Sequence, residues 1–215
     1  MANVSYYNRL TLQKEEFWNS LTHFIGLIFF IIGTPLLFYY NNNLSEYSVI
    51  SISLFSFGLL FVYLSSTVYH YVSNTKLKEK LRIIDHISIF YLILGSYAPV
   101  CLITLYDYSG GTIFINVLIL AIIGTLFKAF YIGKYENISL GFYLLMGWLI
   151  IIDIKTLFDL IEFKAKILLV ASGLSYTFGT YFYASNKIKN SHTIWHLFVL
   201  TGSILHFFMV LFFII

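Results

Sequence analysis

His192 and His196 stand four residues apart in an apolar stretch. On a helix their imidazoles share one face and can bind a single metal ion. Such a pair arises often by chance, but His70 lies near the end of another apolar stretch at a matching depth and supplies a third imidazole. Three neutral imidazoles with an open fourth position are the pattern of a catalytic zinc site, whereas a structural zinc is normally closed by four protein ligands, usually including cysteine. The single cysteine, Cys101, falls toward the opposite end of its span.

Ser66 is four residues before His70 and shares its face. Asp85, beside His86, has several readings: it holds a zinc-bound water, acts as general base, orients a ligand imidazole, or caps a helix N-terminus. Glu16, Asn19 and His23 are spaced three and four apart on one face. They are either part of the same site, or a solvated acid followed by an interhelical hydrogen-bonding pair. His206 follows His192 by fourteen residues, about 21 Å along a helix, too far to share its metal. It reads as a satisfied interior histidine or as part of a polar cavity.

The elements that position these groups are membrane spans. Of 215 residues, 59% are hydrophobic and 11% charged, against about a quarter charged in soluble domains, which excludes a water-soluble globule. Polar breaks divide the chain into seven apolar stretches of the length a bilayer requires: 19–40, 47–71, 83–106, 112–132, 138–158, 166–184 and 191–215. Asp153 and Lys155 interrupt the fifth.

The expectation is an all-α integral membrane protein, one seven-transmembrane helix bundle over 19–215 preceded by a cytoplasmic segment over 1–18. The first apolar run is too long for a cleavable signal and lacks an A-x-A-like site after it. Twenty-two Phe and 18 Tyr suit lipid contact and interfacial belts. A net charge of +3 offers nothing to nucleic acid, and one cysteine excludes an intrachain disulfide.

Ten of the 13 Lys and Arg fall on one side: Arg9, Lys14, Lys76, Lys78, Lys80, Arg82, Lys128, Lys134, Lys187 and Lys189. The positive-inside rule then places the N-terminus in the cytoplasm and the C-terminus outside. With that alternation Asn19, His23, His70, Asp85, His86, His192 and His196 come from four helices to one depth near the cytoplasmic leaflet. Ionisable groups inside a bilayer are costly and mark function.

These motifs resemble those of the hemolysin III family, grouped with the progestin and adiponectin receptors. Glu16-Phe-Trp-Asn19-Ser-Leu-Thr-His23 is similar to its E-x-x-N-x-x-x-H, and Ser66-Thr-Val-Tyr-His70 to its S-x-x-x-H. Asp85-His86 with Gly95-Ser96-Tyr97-Ala98-Pro99 resembles its D-H and G-[ST]-x-x-P element. His192-Thr-Ile-Trp-His196, with His206 ten residues on, resembles its last-span histidines.

The resemblance implies a seven-helix fold of the bacterial plasma membrane and a Zn2+ ion held by His70, His192 and His196. Asp85 would hold a water there, with Ser66 nearby. The receptors' likeness to alkaline ceramidases implies hydrolysis of a lipid amide or ester, so membrane lipids are the expected partners; the oligomeric state stays open. The family's name implies membrane lysis instead, and a zinc-containing sensor of membrane state without turnover is a third reading.

Overall fold

The structure, a computed structural model, describes residues 2–185 and 187–215, with side chains of the first helix from Gln13 onward. The Arg9 side chain, used for the orientation, lies outside the described residues. Eight α-helices build seven spans: α1 Ala2–Tyr39, α2 Ser48–Tyr71, α3 Thr75–Pro99, α4 Gly110–Tyr131, α5 Glu136–Trp148, α6 Ile154–Leu160, α7 Phe163–Ala184 and α8 Ser191–Phe213. Seven segments are long and apolar enough to cross a membrane, and no strand occurs among the described residues. The chain is an all-α, seven-span membrane protein. Neighbours in sequence pack as neighbours in space, and α8 closes the bundle against α1.

The helices at the basic end are longer than hydropathy indicates. α1 is helical from Ala2, continuous through the segment expected as a tail. α3 starts at Thr75 rather than near Ile83, so Lys76, Lys78, Lys80 and Arg82 are helical rather than in a loop. Asn74 caps it, its side-chain oxygen accepting from the Leu77 amide at 3.0 Å, which satisfies one of the donors a helix start leaves free. Asp85 therefore sits about three turns inside α3, and the capping role is excluded.

Span five also differs. Asp153 and Lys155 do not merely interrupt it: α5 stops at Trp148, passes through a 3₁₀ segment over Leu149–Asp153 and resumes as α6. Backbone freed by such a break must find partners inside the protein. The Tyr97 hydroxyl supplies two of them, accepting from the Ile150 amide at 2.9 Å and donating to the Gly147 carbonyl at 3.0 Å. Ser109 donates to the Asp153 carboxylate.

The register of α2 on α3 sets the site. A Cβ on Gly58 would stand 2.5 Å from the Tyr91 carbonyl oxygen, and one on Gly95 would stand 2.7 Å from the Leu54 carbonyl oxygen. Small residues let transmembrane backbones meet this closely. Lower down, Ser65 donates to Ser88 at 2.9 Å, and Ser88 donates to the Asp85 carbonyl at 2.6 Å. Gly58→Val drives side-chain atoms into backbone, and the expected cost is about 1–3 kcal/mol. Thermal unfolding in detergent checks this; an unchanged midpoint would show that the two helices do not need this contact.

Candidate metal centre

His70 occupies the last turn of α2, and His192 and His196 the first two turns of α8. The α8 start is set by Asn190 at φ 57°, a left-handed conformation asparagine tolerates, and by Ser191 donating to the Ser185 carbonyl at 2.8 Å. One ring nitrogen from each of the three histidines lies within 4.8 Å of the others. Ring centroids are 5.2 Å apart for His70 and His192, 5.0 Å for His70 and His196, and 4.7 Å for His192 and His196. The three side chains that depth and spacing bring together are together.

What holds two of the rings determines which nitrogen is available. His70 Nδ1 is 3.2 Å from a Glu16 carboxylate oxygen, and His196 Nδ1 is 3.1 Å from the Asn19 carbonyl oxygen. Carboxylate and carbonyl oxygens only accept, so each Nδ1 carries the hydrogen and each neutral ring leaves its Nε2 lone pair free. His70 Nε2 is buried and has no hydrogen-bond partner. Imidazoles that ligate a metal almost always give their second N–H to a carboxylate or a carbonyl in this way. The residues therefore fit a metal. An all-nitrogen set with no thiolate suits zinc and its first-row neighbours rather than magnesium or calcium.

The face of α1 supplies the supports. Glu16, though partly exposed, is more than a solvated acid: it bonds His70 and also pairs with the Lys78 ammonium, brought within reach by the early start of α3. Asn19 uses its carbonyl on His196 and its side-chain oxygen to accept from Thr193 at 2.5 Å. The expected Asn19–His23 pair does not form. His23 stacks on His196 with centroids 3.7 Å apart, and both of its ring nitrogens are buried without partners. Glu16→Ala is expected to weaken zinc binding about 10–100-fold while leaving the bundle folded. Competition against a fluorescent chelator measures it, and an unchanged affinity would remove Glu16 from the site.

Two cavities meet here. The apolar one, about 350 Å³, is lined at the metal end by Ser66, Asp85, His86, His192 and His196, and runs past Tyr97 and Tyr176 to His206. His206 Nε2 is 3.0 Å from the Ser96 carbonyl oxygen, so it is a satisfied interior histidine on a cavity wall, well away from the triad. The second cavity, about 360 Å³, shares Asp85, His86, Tyr183 and His192 with the first and adds Tyr69, Arg82 and Glu136.

Glu136 was absent from the motifs, and Lys128 figured there only as an orienting charge. Lys128 is fully buried and pairs with Glu136 at 2.5 Å. The same carboxylate accepts from the Gly133 amide at 3.1 Å and the Tyr183 hydroxyl at 3.3 Å, with Arg82 at 3.5 Å. A lysine eight residues before a glutamate, across a span boundary, was the signal available in the sequence.

A seven-helix bundle carrying three convergent imidazoles, with a buried carboxylate lining the cavity beside them, defines an integral membrane protein with a candidate metal site at one end. Its family follows from comparison with known proteins. The chain belongs to the hemolysin III family: the profile described as "Haemolysin-III related" matches residues 11–207. It is 40% identical over 201 residues to the hemolysin-3 homolog of Bacillus subtilis (strain 168), covering 93% of this chain and 94% of that one. To hemolysin-3 of Bacillus cereus it is 37% identical over 203 residues, 94% and 93% of the two chains. The human monocyte to macrophage differentiation factor, of the related progestin and adiponectin receptor family, is 29% identical over 207 residues, 91% and 83%. The protein is an integral, multi-pass protein of the bacterial plasma membrane.

Proposed function

We propose that this protein is a zinc-dependent hydrolase of membrane lipids, cutting an amide or ester bond at the basic end of the bundle. The observation that carries the reading is the pair of second-nitrogen partners, Glu16 on His70 and the Asn19 carbonyl on His196, which leave Nε2 lone pairs free in a cluster. His70, His192 and His196 would hold the ion. When bound, zinc supplies Lewis acidity toward a carbonyl oxygen and makes a water nucleophilic near neutral pH.

The chain's own residues do the rest. Asp85, on the wall shared by both cavities, takes the proton from the attacking water and returns it to the leaving group. Ser66, lining the apolar cavity with it, donates to the oxygen on which negative charge develops. The apolar cavity accepts a hydrocarbon chain and keeps bulk water from it. Ile151 and Val170 line that cavity while about half exposed on the outside of the bundle, at 56% and 46%, which supports entry of a lipid sideways from the bilayer.

The test combines zinc analysis of purified protein with hydrolysis of a broad panel of lipid amides and esters. Stoichiometric zinc with product release is expected; zinc without turnover across the panel would overturn the hydrolase. The relatives' printed names carry a second reading, lysis. Liposome leakage equal for wild type and the His192→Ala/His196→Ala variant would separate lysis from the metal.

On the distribution of Lys and Arg we also place the N-terminus and the metal site at the cytoplasmic face. A membrane-impermeant thiol reagent on intact cells is expected to label Tyr108→Cys and spare Lys76→Cys; the reverse pattern inverts the topology.

A further inference from the structure

The second cavity differs in kind from the first. Its walls include Arg82, Glu136, Asn137, Tyr69 and Tyr183, and it reaches the metal end at Asp85 and His192. Arg82 is the under-committed group. Glu136 is already engaged by the Lys128 ammonium at 2.5 Å, the Gly133 amide and the Tyr183 hydroxyl. The Arg82 guanidinium reaches it only at 3.5 Å, through one of its nitrogens. Guanidinium carries five N–H donors in a planar fork suited to phosphate and carboxylate. Lys128, fully buried behind the wall, already balances Glu136, so Arg82 is the cation the wall itself presents, beside Glu136 and Asp85. The Arg82 side chain is 42% exposed, open to an incoming ligand rather than buried as a structural pair.

An apolar cavity and a polar one that share Asp85, His86, Tyr183 and His192 describe the two halves of an amphiphile joined at the reacting bond. We infer that the polar cavity seats an anionic head group, phosphate or carboxylate, of the molecule whose hydrocarbon chain lies in the apolar cavity, with Arg82 as its counter-charge. This rests on the lipid-hydrolase reading for the reacting bond, but the head-group seat is measurable without metal or turnover.

Ala184 lies on the wall of the polar cavity and is exposed, while Cys101 is fully buried. Ala184→Cys therefore places one reactive thiol at the seat. In metal-free protein, sulfonatoethyl methanethiosulfonate should modify it faster than the trimethylammonioethyl reagent. Arg82→Gln should lower that preference on the order of tenfold, and Arg82→Lys should restore most of it. A preference unaffected by Arg82→Gln overturns the counter-charge.

Dodecyl phosphate is expected to protect the thiol where dodecyl maltoside and inorganic phosphate at equal concentration do not. Protection by inorganic phosphate as strong as by dodecyl phosphate would make this a free-anion site, and absence of protection by either would overturn the seat. Because the readout is thiol modification, a protein that binds no zinc and hydrolyses nothing can still pass or fail it.

Discussion

His70→Ala, His192→Ala and His196→Ala should each empty the metal site. Binding energies of structural zinc sites run near 12 kcal/mol over four ligands, so one imidazole accounts for about 3 kcal/mol, a loss of more than a hundredfold in affinity. Purified wild type should contain close to one zinc per chain by elemental analysis, and each variant almost none after the same dialysis. The three losses should be alike, because one nitrogen from each ring lies within the same 4.8 Å cluster. The variants should still run as folded protein, since the hydrophobic core runs along the length of the bundle and the three histidines are not part of it. A variant that keeps full zinc takes its histidine out of the set. Loss of zinc from all three would locate the metal while leaving the reaction to be settled by turnover.

Asp85→Asn is expected to separate binding from chemistry. The amide is nearly the same shape, and none of the three clustered nitrogens belongs to Asp85, so zinc content should stay near wild type. An amide cannot take a proton from water, and loss of a general base lowers the rate about 10²–10⁴-fold. On any lipid amide or ester that wild type cleaves, kcat should fall by that range with KM little changed. Wild-type turnover by Asp85→Asn would end its role as base. Loss of zinc together with turnover would mean that Asp85 holds the site instead of acting in it.

Those two experiments address residues legible from the chain alone, and the reason is physical. Seven spans follow from runs of apolar residues broken by charges, a local signal. His192 and His196 share a face by helical spacing, and His70 joins them because antiparallel spans bring alternate ends to one depth. Glu16 and Asn19 were legible as candidates for the site, but not the contacts by which they hold the His70 and His196 rings. Glu16 reaches His70 only because α1 carries on as helix below its span, and Lys78 reaches Glu16 only because α3 begins at Thr75. Hydropathy has nothing to say about either extension, since both are polar. The lack of partners on His23 and the coupling of Lys128 to Glu136 depend on side-chain directions between helices. The break in span five was visible as two charges, but its anchorage on the Tyr97 hydroxyl, fifty residues earlier in the chain, was not.

The buried Lys128 has a consequence for biogenesis. Lys128 sits in the last turn of α4, so handing that helix to lipid costs only part of the roughly 3 kcal/mol that an ammonium costs at mid-membrane on insertion scales. Its counter-charge, Glu136, is made eight residues later, at the start of the next span. Spans four and five should therefore leave the translocon as a paired hairpin rather than one after the other. A nascent chain halted just after Tyr131 should integrate span four poorly, and one extended through α5 should integrate it well unless Glu136 is changed to Gln. Glycosylation reporters placed after each span would read this. Equal integration of the short and the extended chains would show that Lys128 enters the bilayer without its partner.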